Sequence, residues 1–102
     1  MQNSILKEMK IKLPDDIVNA VSSSEIISML LDKALTKVEY YKSKGKEFEG
    51  KYNMDFPSFK KKGENAGEEE FAEWDDLMIW EGYELASHEW MKKYEELKSC
   101  MA

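Results

Sequence analysis

Arginine is absent from this chain, and cysteine, histidine and proline are scarce, at one, one and two among 102 residues. Without arginine there is no planar guanidinium fork to read guanine edges or grip paired phosphate oxygens, which weighs against nucleic-acid recognition as the main task. The single cysteine, Cys100, excludes an internal disulfide and builds no Cys–His arrangement. The single histidine, His88, stands four residues after Glu84, a spacing that can share a metal on a helix, but the H-E-x-x-H and Glu-x-x-His patterns of zinc and di-iron sites are missing. No glycine-rich phosphate loop is present: Gly45 and Gly50 fall inside a helical pattern, and Gly63 and Gly67 flank a polar stretch with no strand before it. No apolar run approaches the roughly 18–20 residues of a membrane span. The opening MQNSILKEMKIK lacks the apolar core of a signal peptide. These absences lead to the expectation of a cytoplasmic, non-enzymatic protein with no catalytic residues, no metal, no cofactor and no membrane partner.

What is present is pattern and charge. From Ser22 to Tyr52 apolar or small residues recur at alternating spacings of four and three: Ile27, Leu31, Ala34, Val38, Tyr41, Gly45, Phe48 and Tyr52. That is a heptad repeat and predicts one long amphipathic helix with a narrow seam. Ile27, Leu31, Val38 and Tyr41 are the candidate dimer seam, and Gly45 leaves a hole in it that admits a bulky neighbour. Ser22 as N-cap with Glu25 three residues on forms a capping box at the helix start, and the helix is expected to run to about Gly50.

Before it, residues 5–13 turn to an apolar–polar alternation (Met9, Lys10, Ile11, Lys12, Leu13), which predicts a short strand ended by Pro14. Asp15 to Val21 then reads as a short helix with acids at its N-terminus. Asn53 to Phe59 reads as a tucked turn around Pro57, and Lys60 to Gly67 as a polar linker. A second long helix is expected over about Glu68–Lys98. It carries two apolar stripes, one of Phe71, Trp74, Met78, Gly82 and Leu85, the other of Ile79, Tyr83, Ala86, Trp90, Tyr94, Leu97 and Met101. Two stripes imply either a kink or two packing partners.

Charge is segregated along the chain. Residues 1–62 hold twelve lysines and nine acids, whereas residues 63–102 hold three lysines and twelve acids. Between Gly63 and Met91 there are ten acids and no lysine. An antiparallel hairpin sets the acids of 68–76 beside Lys42, Lys44, Lys46 and Lys51, and returns Lys92, Lys93 and Lys98 toward Glu25 and Asp32. A parallel pairing loses both matches. Exposed pairs contribute at most about 1 kcal/mol each, so they select orientation while seam burial holds the fold.

The expected fold is therefore mainly α: an antiparallel, coiled-coil-like long-helix hairpin with a short N-terminal strand and short helix. Residues 1–62 (strand, short helix, heptad helix) and 63–102 (linker, acidic helix) form one structural domain.

The densest chemical constellation is Trp74, Asp75, Asp76, Trp80 and Tyr83. Adjacent helical carboxylates point about 100° apart and cannot converge on one substrate atom, so acid–base catalysis is a poor fit. Aromatics beside carboxylates instead suit a surface for a basic protein partner.

The run Met9-Lys10-Ile11-Lys12-Leu13-Pro14-Asp15-Asp16-Ile17, with a short helix and then Ser22-Ser23-Ser24-Glu25 opening a longer one, resembles the ribbon-helix-helix start of small prokaryotic antitoxins and repressors. That resemblance implies a homodimeric strand pair with Lys10 and Lys12 facing DNA and Met9, Ile11 and Leu13 facing the core. The segment Phe48 to Phe59, with the later Phe71-Ala72-Glu73-Trp74-Asp75-Asp76 and Trp80-Glu81-Gly82-Tyr83, looks like antitoxin-type proteins that wrap a basic toxin with an acidic helical tail. The leading expectation is an antitoxin-like interaction module that neutralises a basic partner through its acidic aromatic helix. The alternatives are a helical scaffold or homo-oligomerisation module, and a weak DNA-binding regulator acting through the N-terminal strand.

Overall fold

A computed structural model describes residues 5–67 and 71–101. Four helices follow one another: α1 (Asp15–Ala20), α2 (Ser23–Tyr52), α3 (Phe56–Ala66) and α4 (Trp74–Lys98). The long helices α2 and α4 run antiparallel along most of their lengths, and α3 packs across both at one end. The molecule measures 62 × 27 × 21 Å with a Cα radius of gyration of 19.4 Å, against about 13 Å for a compact chain of this length.

Helix α2 starts where the capping signal places it. The Ser22 hydroxyl accepts from the Glu25 backbone N–H at 3.1 Å and donates to the Glu25 carboxylate at 3.4 Å. The helix runs past Gly50 to Tyr52 and stops at Asn53, which takes the left-handed conformation (φ 54°, ψ 42°) that an asparagine tolerates at a helix end. All eight seam positions turn inward: Ala34, Val38 and Gly45 are buried, and Ile27, Leu31, Tyr41, Phe48 and Tyr52 are half-buried. The seam meets α4 of the same chain. Ile27, Leu31, Val38 and Tyr41, expected as a seam between two chains, thus close the intramolecular hairpin, because a second helix of matching length is already tethered within reach.

Two expectations are corrected. First, no strand forms among the described residues; 5–14 carry no regular structure. An alternating segment needs a neighbour for its backbone N–H and C=O groups, and none is supplied here. Second, residues 60–66, expected as linker, belong to α3. Asp55 caps that helix by accepting from the Ser58 N–H at 2.9 Å, with Pro57 in the first turn. Its inward face is Phe56, Phe59, Gly63 and Ala66. Gly63 is buried because a Cβ there would lie 3.1 Å from the Phe71 ring and 3.2 Å from Leu77. Gly67 (φ 79°) ends the helix.

Helix α4 starts at Trp74, later than expected; Glu68, Glu69 and Glu70 lie outside the described residues. Phe71 precedes the helix yet is only 4% exposed. Its ring joins a core of Phe59, Leu77 and Trp80 where three helices meet, with Phe48, Tyr52 and Phe56 around it.

Charge selects orientation as expected at one predicted pair, Lys51–Asp76 at 2.6 Å, and at an unpredicted one, Lys60–Glu81 at 2.9 Å. At the other end Lys98 pairs with Glu95 in its own helix, since i,i+3 neighbours are reached with less side-chain ordering than residues across the groove. Gly82 lies in mid-α4 with open space where a Cβ would stand. Gly82→Ala is expected to raise the unfolding free energy by about 0.5–1 kcal/mol, read as a higher urea midpoint at unchanged slope.

Candidate interaction surface

The five residues expected to bind a partner are split by the fold. Trp80 is fully buried, stacked on Phe48 with centroids 5.5 Å apart and in ring contact with Phe56 and Phe59. It occupies the hole at Gly45, where an added Cβ would stand 3.4 Å from Trp80 Nε1 and 3.4 Å from Glu84 Oε1. Its indole N–H is buried without an acceptor. Trp80 is therefore a core residue, and the expectation of a partner-facing ring is corrected. Trp74 is half-buried, edge-on to Phe71. Tyr83 is half-buried, between Tyr41 and Phe48 at centroid distances of 6.2 and 6.3 Å. Asp76 turns inward to Lys51 and to the Tyr52 hydroxyl, which donates to it. Only Asp75 stands fully on the surface.

The Asp76 cluster is a latch between the ends of α2 and α4. Hydrogen bonds from Lys51 and then Tyr52 hold the Asp76 carboxyl below its ordinary 3.8. The hydrogen bond to Asp76 lifts Lys51 above 10.5. Burial, then Asp76, lifts the Tyr52 phenol above 10.0. For Asp76 the folded value is the lower one, so its contribution to stability is complete above its unfolded value and is lost as pH falls through the folded value. For Lys51 the folded value is the higher one, so its contribution is complete below 10.5 and is lost as pH rises through the folded value. Asp55, held low by Ser58, titrates in the same acid window. In Asp76→Asn the fall in urea midpoint below about pH 4 is expected to be shallower than in the parent, with the Asp55 contribution common to both. Parallel curves for the two proteins would show that the latch does not contribute.

The surface of α4 is formed by residues that the site expectation passed over. At 100° per residue, Asp75, Met78, Gly82, Leu85 and Glu89 fall on one side of the helix, opposite the inward Leu77, Trp80 and Ser87. All five are exposed; Met78 is 69% and Leu85 61% accessible, with Ile79 at 49% on the flank. The signal was legible as the first apolar stripe. Its first members, Phe71 and Trp74, go into the core, while its later members go to solvent. The inward line was less legible because Glu84 and Ser87 interrupt it with polar atoms.

The other candidates stand apart. Lys10 and Lys12 are exposed on the irregular segment, so no sheet presents them together. Glu84 and His88 border a recess of about 170 Å³ with Tyr41, Ser87 and Met91, and no cluster of three or more metal-ligating side chains exists among the described residues. Cys100 is exposed. No helix among the described residues is long and apolar enough to cross a membrane.

No known family model matches the chain, and neither a curated protein nor a solved structure matches it significantly.

Proposed function

We propose that this chain is a non-enzymatic, antitoxin-like interaction module of the cytoplasm that binds and neutralises a basic protein through the outer face of α4. The observation that carries this reading is the exposed stripe Met78–Gly82–Leu85 framed by Asp75 and Glu89, inside a stretch from Gly63 to Met91 with ten acids and no basic residue except the one histidine. An exposed, continuous apolar patch rimmed by charge is the usual mark of a protein interface. Met78 and Leu85 are the anchors: each has apolar surface whose burial contributes roughly 1.5–3 kcal/mol at full desolvation. Gly82 leaves a notch between them for a partner side chain. The carboxylates repel acidic surfaces and steer basic ones, contributing more to encounter rate and specificity than to affinity.

The reading extends the sequence expectation and moves the contact from Trp80 and Tyr83 to the opposite side of the same helix. It is tested by co-expression with the product of the adjacent gene and isolation of the complex at low salt. The expected result is a complex lost in the double variant Met78→Asp, Leu85→Asp, with at least tenfold weaker binding, and weakened by added salt. A chain that retains its partner in that double variant, or that captures no adjacent product at low salt, would refute the proposal.

A further inference from the structure

The opposite end of the hairpin from α3 holds a groove of about 370 Å³ between α2 and α4. Its apolar lining is Leu30, Trp90 and Leu97, with Lys33, Lys93 and Glu96 as charged members and Cys100 beside them. The apolar surface continues along α2, where Ile26 is 45%, Met29 68% and Leu30 45% exposed. At 100° per residue these three, Lys33 and Tyr40 share one flank of α2, and Trp90, Lys93 and Leu97 share one flank of α4. Ile5 and Leu6 also line the groove and remain 85% and 77% exposed.

We infer that a second copy of this chain occupies the groove, pairing two hairpins into a four-helix bundle. Area permits a second copy of this chain there, and sign favours it. The chain exposes 8346 Å², whereas a compact 11.9 kDa protein exposes about 6,000 Å², leaving an excess of about 2,300 Å². A standard stable interface removes about 800 Å² per partner, so one symmetric contact fits within the excess. A two-fold interface places a patch against itself, which favours a patch carrying both charges over one of a single sign. The groove has them, lysines 33 and 93 with Glu96. Between Asp75 and Glu89 the outer stripe of α4 carries acids and no lysine, so that stretch repels its own copy, and a lysine enters this side of the helix one turn beyond, at Lys93. The two faces thus take different occupants, and this inference stands without the proposed basic partner.

The test is sedimentation equilibrium of the full chain across the micromolar range, together with the rate at which a maleimide alkylates Cys100. The parent is expected at twice 11.9 kDa, with alkylation slowing several-fold as protein concentration rises. The double variant Met29→Glu, Leu30→Glu alters two side chains outside the seam and is expected at the single-chain mass with unchanged helicity by circular dichroism. Its alkylation rate is expected to be independent of concentration. The outer-stripe variant Met78→Asp, Leu85→Asp is expected to remain dimeric. A parent of single-chain mass at every concentration would overturn the inference, and slow alkylation in that monomer would identify the N-terminal segment as the cover. A dimer that survives Met29→Glu, Leu30→Glu, or one that dissociates in the outer-stripe variant, would also overturn it.

Discussion

Trp80→Ala is expected to destabilise the fold by about 3–5 kcal/mol, a large part of the 5–15 kcal/mol available to a small domain. The indole is fully buried and touches rings from two other helices, Phe48 of α2 and Phe56 and Phe59 of α3. Its removal leaves a cavity against Gly45, which has no side chain to relax into it. Trp80→Phe is expected to cost much less. It retains most of the ring contact and removes an indole N–H that has no acceptor, so part of the lost packing is offset by a relieved desolvation penalty. Urea unfolding followed by circular dichroism measures both. If alanine and phenylalanine at position 80 shift the midpoint equally, the stacking account is wrong.

The second large effect is expected at Phe59. Its side chain is fully buried, stacked on Tyr52 at 4.2 Å between centroids and tilted against Phe71 and Trp80 at 5.4 and 5.3 Å. Phe59→Ala is expected to cost about 3–5 kcal/mol and to release α3 from the hairpin. Release should appear as rapid amide exchange over 56–66 and as protease cleavage after Lys60, Lys61 or Lys62, while α2 and α4 remain protected. Persistent protection of 56–66 in this variant would mean that α3 is held by something other than its aromatic anchor. Substitution of the exposed Lys61 provides the contrast and is expected to stay within about 0.5 kcal/mol of the parent.

Sequence pattern and structure part at α3. Lys60 to Gly67 looks like a linker because three lysines and two glycines dominate it. Yet Asp55 followed by Pro57 is a helix start, and Phe56, Phe59, Gly63 and Ala66 are spaced to share one face. The face was hidden because two of its four members are small. A glycine registers as a breaker in a sequence, whereas its meaning here is close approach: Phe71 and Leu77 lie within 3.1–3.2 Å of where its Cβ would stand. The sequence pattern also places Phe71 in a helix, for a related reason. Its apolar character signals burial but not the backbone that delivers it.

The long capped helix with its inward heptad seam, and an α4 with more apolar surface than one neighbour can cover, are legible in the residues alone, and the opposed charges point to an antiparallel hairpin, with one of the expected pairs, Lys51–Asp76, formed. These follow from periodicity, local hydrogen bonding and Coulomb sign, all of which act between residues whose spacing the chain sets. Packing in three dimensions was needed to show that the seam closes within one chain, that Trp80 is core while Met78 and Leu85 are surface, and that 60–66 is helix. Those outcomes depend on which side of α4 the Gly45 gap and the α3 aromatics draw inward. That choice is settled by shape complementarity among residues far apart in the chain, which local spacing does not encode.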